Sequence, residues 1–237
     1  LKKSVFTRRF KTTLIEKDVA FYYLTFSNLS VKNFMTYSNK EIPKSIEKQV
    51  EKALSFYPEL KETPISFKFK KSIKKSTMQA QPRYESFLRS KKNRSYIILI
   101  SEKFHIEDEE FHITDVEDDV LIGWIGHELG HVMDYRDRST LGMLIFGIKY
   151  LFSKRHIKEV ERAADTFAVK HGMYQYILAT KNFILNNTSI SPTYKARIKR
   201  LYMSPEEIME LVNNLKTEEV EKKVEKEAEE ENQTFSY

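Results

Sequence analysis

The stretch GWIGHELGHVMDY, Gly123 to Tyr135, contains His127-Glu128-Leu129-Gly130-His131, an HExxH pattern. On a helix, residues i and i+4 lie on one face one turn apart, so both imidazoles can reach a single metal ion. Glu128 is rotated by about 100° from His127. It therefore stands beside such an ion, within reach of a water the ion holds. Zinc brings the pKa of that water toward about 7, and a neighbouring carboxylate can take its proton during attack on a carbonyl. The pattern predicts one zinc ion, with His127 and His131 as ligands and Glu128 as general base. Two solvated or capping histidines beside an incidental glutamate would spell the same letters, so the rest of the chain must supply the missing parts.

The first missing part is a third protein ligand, which leaves a fourth position for water. Two carboxylates compete. Asp137 stands six residues after His131, and its use would require a sharp turn just past the helix. Three residues after His131 stands Asp134, where glycine would favour that turn. The other candidate is Glu161, in Glu161-Arg162-Ala163-Ala164-Asp165, on what reads as the next helix. Small Ala163 and Ala164 would let the two helices approach closely. Asp165 shares the face of Glu161 and can orient a ligand histidine through its second ring nitrogen. A lone ExxxD is otherwise a solvated face; its place after HExxH favours Glu161.

Working outward, Thr114-Asp115-Val116-Glu117 fits a capping box, and predicts a helix running through Trp124 to about Tyr135. Upstream, a helix follows Pro43, with Ile46, Val50, Ala53 and Leu54 spaced at three and four. Ile65 to Lys70 alternates apolar and polar residues as a half-buried strand does. Met78 to Tyr84 reads as a strand whose Pro82 suits an edge. Ser95 to Ser101, SYIILIS, is the clearest strand in the chain. Downstream, helices are expected over His156–His171, closed by Gly172, and over Tyr174–Leu185, Pro192–Met203 and Pro205–Leu215. Strands first and helices afterwards predict an α+β, zincin-like fold. In it, a small mixed or antiparallel sheet precedes the HExxH helix and a second helix carrying ExxxD. Residues 1–42 read as an arm or short strands, 43–215 as the main domain, and 216–237 as a charged tail, solvated helix or disordered.

Composition narrows the classes. With 41% hydrophobic and 13% aromatic residues among 237, the chain can bury a core. The absence of cysteine removes disulfides, thiolate zinc sites and thiol nucleophiles, and leaves the compartment open. The sequence opens on Leu1, as a processed or truncated chain would, with no signal peptide visible at that end. A net charge of +6 is spread through the chain and matched by 34 acidic residues; nucleic acid is not expected as a partner. The apolar run Leu141 to Phe152, interrupted by Lys149, falls short of the roughly 20 residues that cross a bilayer. It fits a core hairpin or a loop over the site, or else a lid or membrane-surface contact.

At GHELGH (Gly126 to His131) and EVERAADTFAV (Glu159 to Val169) the sequence resembles the gluzincin zinc metallopeptidases. Within them it is similar to the family of HtpX-type heat-shock peptidases and CAAX-processing peptidases. SPTYKARIKRL (Ser191 to Leu201) resembles that family's late segment, with Pro192, Arg197 and Ile198 in place and Ser191 where the family has histidine. The resemblance covers about residues 43–203. It implies two histidine ligands, a glutamate ligand, a glutamate base and hydrolysis of peptide bonds in a protein or peptide substrate. The family's membrane-spanning insertions have no counterpart. Ser95–Ser101 reads first as a core strand, with an edge that aligns an extended peptide as the alternative. Arg197, Tyr194, His156 and His171 are candidate donors to the oxyanion, with an Arg197–Asp165 ion pair as the structural alternative. Two other functions compete: a zinc-holding interaction module without catalysis, and a DNA-associated metalloprotease.

Overall fold

Isoleucine-rich Tyr96–Ser101 sits at the heart of a four-stranded sheet. The structure, a computed structural model, describes residues 39–234 except 72, 74–75, 88, 107–108, 188–189 and 191. The sheet comprises β1 (Lys40–Glu41), β2 (Ile65–Lys70), β3 (Met78–Pro82) and β4 (Tyr96–Ser101), in the order β1-β2-β4-β3. β1 and β4 both run parallel to β2, and β3 runs antiparallel to β4, with Ala80 opposite Ile98. The sheet is mixed and the described fold is α+β. A hairpin of β5 (Lys103–Ile106) and β6 (Glu109–His112) follows; the sequence reading passed directly from strand to helix there.

The apolar run of β4 suits a strand covered on both faces, Tyr96, Ile98 and Ile100 being buried on one and Ile97 and Leu99 half-buried on the other. Its neighbours β2 and β3 take both of its edges, so it cannot align a peptide as an edge strand. That position belongs to β3, where Pro82 is tolerated because an edge residue can lack its N–H. Lys40 and Glu41, read as part of the arm, form the opposite edge. The remainder of the predicted arm, residues 1–38, lies outside the described residues, as does Ser191.

The helices are α1 (Glu47–Leu54), α2 (Asp118–Arg136), α3 (Thr140–Phe152), α4 (Lys154–Lys170), α5 (Tyr174–Asn186), α6 (Pro192–Leu201) and α7 (Pro205–Thr234). The predicted capping box does not form. Ile113–Asp115 makes a 3-10 turn, Thr114 Oγ1 lies 3.4 Å from Asp115 Oδ1, and α2 starts at Asp118 behind Glu117. Asp118 and Asp119 supply the negative charge that a helix N-terminus favours. α4 ends at Gly172 with φ 82°, where Gly172 N–H bonds Val169 O and Met173 N–H bonds Ala168 O. This is the left-handed closure glycine permits. The charged stretch beyond Lys216 continues α7 without a break.

α2 is the central rod. It is buried nearly all round, because its sequence is apolar on every face. α1 and β3 pack on it, and α4 and α5 approach it closely. Close approach needs missing side chains. A β-carbon at Gly123 would stand 2.3 Å from the carbonyl oxygen of Tyr176 in α5, and one at Gly130 would stand 2.5 Å from that of Ala164 in α4. α4 turns Val160, Glu161, Ala164, Asp165 and Ala168 inward, a helical stripe that brings two carboxylates into the interior.

Candidate metal centre

The spacing that puts His127 and His131 on one face of α2 aims them at the inward stripe of α4. Glu161 Oε2 lies 3.1 Å from His127 Nε2 and 3.4 Å from His131 Nε2. Asp165, one turn further along, accepts from His127 Nδ1 at 2.9 Å. The other face of Asp165 meets Lys181 Nζ of α5 at 2.9 Å and the Met203 backbone N–H at 3.0 Å. All three of these contacting groups are donors, as a carboxylate with 0% exposure requires. The cation facing Asp165 is therefore Lys181, in place of Arg197.

Glu128 points to another side of α2. Its Oε2 accepts the backbone N–H of Ala80 at 2.6 Å. The sheet register explains that contact. Thr77 O accepts from Ser101 N–H, and Arg83 N–H donates to Ser95 O. Odd residues of β3 thus bond to β4, and antiparallel alternation turns the backbone groups of Met78 and Ala80 to the open edge. One of these groups holds Glu128.

Charge and burial set the protonation of these groups. Burial pushes the His127 ring down, but Asp165 and Glu161 overcome it and raise the ring to about 10. Burial pushes Glu161 up, yet His127 and His131 hold its carboxyl well below the usual range. Burial raises the carboxyl of Glu128, opposed by the two histidines. Asp165, pushed up by burial, is drawn down to about 2 by Lys181 and His127. Since Asp165 accepts from Nδ1, that nitrogen carries hydrogen and Nε2 faces Glu161. A positive centre is called for between Nε2 and the Glu161 carboxylate, supplied either by a ring proton or by a metal ion.

The donor set fits zinc. Donors about 2.0–2.2 Å from a tetrahedral zinc stand roughly 3.3–3.6 Å from one another, close to the 3.1 and 3.4 Å found. Glu128 is also near: one ligand atom each from His127, Glu128 and His131 fall within 4.8 Å of one another. A cavity of about 1130 Å³ opens onto Glu128, His131 and Glu161, walled by β3, by α3 and by Arg197 and Tyr202.

The remaining candidates are spread out. Asp137 lies just past α2, which runs through Arg136 without the sharp turn its use would need. Arg197 lines the cavity, and Tyr194 lines a smaller one beside His127 and Asp165. His171 stacks on Tyr57 and meets Glu59 at the end of α4; His156 pairs with Glu159. Three contributors were missed: Lys181, the Ala80 N–H, and Tyr150, whose hydroxyl donates to Glu161 Oε1 at 3.4 Å. α4 follows α3, so the ExxxD helix is the second after HExxH. No protein-family model, curated protein or solved structure matches this chain. The family resemblance therefore rests on the motif residues themselves.

Proposed function

We propose that the chain is a zinc-dependent metallopeptidase with a zincin-like core. His127, His131 and Glu161 would hold the ion, Asp165 would fix the His127 tautomer, and Glu128 would act as base. The observation that carries this reading is the division of the two glutamates. Glu161 Oε2 lies 3.1 and 3.4 Å from the two Nε2 atoms, whereas Glu128, also near the histidines, has one oxygen engaged by the Ala80 N–H. A metal-holding scaffold needs the first carboxylate and has no use for the second.

Bound zinc would polarise the scissile carbonyl and acidify a water. The chain's own groups supply the rest. An extended peptide laid along the open edge of β3 would pair with the outward backbone groups of Met78 and with the Ala80 carbonyl, the Ala80 N–H being taken by Glu128. Glu128, whose carboxyl pKa is raised by burial, would take the proton of the attacking water. It can return that proton to the nitrogen of the leaving amine, using the oxygen that Ala80 does not occupy. Arg197 and Tyr202 line the cavity wall, and either would donate to the developing oxyanion.

The test is a zinc assay paired with cleavage of a peptide library by the chain and by Glu128→Gln. Retained zinc with turnover reduced by at least about 10²-fold supports the peptidase. Zinc bound by both proteins, with cleavage by neither, supports a zinc-holding module instead. No zinc in the unaltered chain ends both readings.

A further inference from the structure

α3 has two apolar faces. Met143 and Phe146 are buried and look toward the cavity. Leu141, Ile145 and Phe152 look the other way and Leu144, Ile148 and Leu151 stand at the cavity rim, the six running from 45% exposed at Ile145 to 85% at Phe152. Their positions i, i+3, i+4, i+7, i+10 and i+11 form one stripe along the helix. Six large apolar side chains in one row exceed what an isolated surface leaves to water without a partner. The inner face packs on protein, Phe146 meeting the rings of Tyr135 and His156 edge-on.

Charge decides the partner. From Arg138 to Lys158 the chain carries five cations; Arg138 pairs with Asp134 and Arg155 with Glu159, so the charge beside the stripe is that of Lys149, Lys154 and Lys158. Lys149, Lys154 and Lys158 are exposed at the margin of the stripe, with stems long enough to lie on apolar surface while the ammonium stays in water. Residues 1–37 hold seven Lys or Arg against two acidic residues, so the arm would bring like charge to this margin. A second copy pairing through the same face would set the margin against itself. A surface combining hydrocarbon with negative headgroups matches both features.

The geometry points to α3 as a docking face for an anionic lipid bilayer, lying in the plane of the interface. Thirteen residues make a helix of about 20 Å, too short to cross a hydrocarbon core of about 30 Å. Among the described residues no helix is long and apolar enough to cross a membrane. Leu144, Ile148 and Leu151 also border the cavity, so docking sets the cavity mouth against the headgroups. The inference needs neither zinc nor turnover and stands apart from the peptidase reading.

The test is sedimentation of the full chain with vesicles of phosphatidylcholine alone or mixed with phosphatidylglycerol. Hydrogen exchange is followed on the same samples. Binding is expected to the phosphatidylglycerol mixture, weakened by high salt, with α3 amides slowed. The combined Ile145→Ser, Ile148→Ser and Phe152→Ser variant is expected to bind about tenfold more weakly or worse. Lys149→Glu with Lys154→Glu lowers binding to the anionic vesicles alone. Should the serine variant misfold, slowed exchange of α3 in the unaltered chain decides the matter. The proposal is overturned if the full chain stays in the supernatant, or if vesicles slow exchange in residues 1–37 and leave α3 unchanged. It is also overturned if the serine substitutions convert a dimer into a monomer without changing vesicle binding.

Discussion

Gly130→Ala tests whether the closeness of α2 and α4 holds Glu161 at the histidines. The added β-carbon would stand 2.5 Å from the carbonyl oxygen of Ala164 and 3.1 Å from its Cα. Ordinary contact begins near 3.4 Å, so α4 must retreat by about 0.9 Å (3.4 − 2.5). Ala164 is three residues from Glu161 on the same face, and the retreat carries Glu161 with it. The separations of 3.1 and 3.4 Å would open to about 4 Å or more, past the roughly 3.3–3.6 Å of a tetrahedral donor set. Two energies compete. Alanine gains about 1 kcal/mol of helix propensity over glycine, and overpacking costs about 1–3 kcal/mol. Backbone is the obstacle, so the upper part of that range applies, and the net loss is about 1–2 kcal/mol. At ~2–4 °C per kcal/mol for a chain of this size, Tm falls by about 2–8 °C. Melting in EDTA reads the packing cost without metal, and competition with a chromophoric chelator reads zinc affinity, expected to drop by about 10–100-fold. Gly126→Ala is the control. Its β-carbon would meet Met173 Cε at 2.4 Å and Sδ at 2.6 Å, the far end of a side chain that can swing aside. Zinc affinity should then be unchanged and Tm near that of the unaltered chain. Equal losses in the two variants, or normal zinc affinity in Gly130→Ala, would refute the reasoning.

Lys181→Met leaves Asp165 buried with His127 and the Met203 N–H as partners. Breaking a buried pair costs about 3–5 kcal/mol, and the surviving donors put this loss near 3 kcal/mol. The pH dependence has a definite sign. Asp165 is held at about 2, below its unfolded value of about 3.9, so its contribution is present above the unfolded pKa and lost as pH falls through about 2. Without Lys181 burial is opposed by less, the folded pKa rises, and acid unfolding followed by circular dichroism should move to higher pH. Glu161→Ala should leave the dialysed chain without zinc by atomic emission, whereas Asp137→Ala should keep it.

Spacing made the histidine pair and both carboxylates of α4 legible before any coordinates, because i and i+4 separations translate directly into a shared helix face. The pairing of α2 with α4 was legible through Ala164, although the other half of that contact is Gly130, inside the HExxH itself. The centrality of β4 was also written in the chain. SYIILIS lacks the alternation of a half-exposed strand, which favoured a core strand over an edge, and β4 lies inside the sheet. Thr114 misled because a capping pattern specifies a side chain's ability to bond and not the backbone turn that must present it; here a 3-10 turn intervenes.

What local spacing could not show is set by partners far along the chain or without side-chain identity. Lys181 sits in α5 among apolar residues, and nothing near it in sequence announces a carboxylate sixteen positions away. Ala80 contributes a backbone N–H, which every residue but proline possesses, and its aim follows only from the register of β3 on β4. All three missed groups act on the carboxylates that the motifs identify, Lys181 on Asp165, Ala80 on Glu128 and Tyr150 on Glu161. The motif therefore specifies which atoms meet, while tertiary packing specifies their charge and separation. That division explains why two glutamates of the same chemistry, Glu128 and Glu161, are assigned different work. One is clasped by a sheet edge on the cavity side, and the other is locked between two imidazoles, so they differ in surroundings alone.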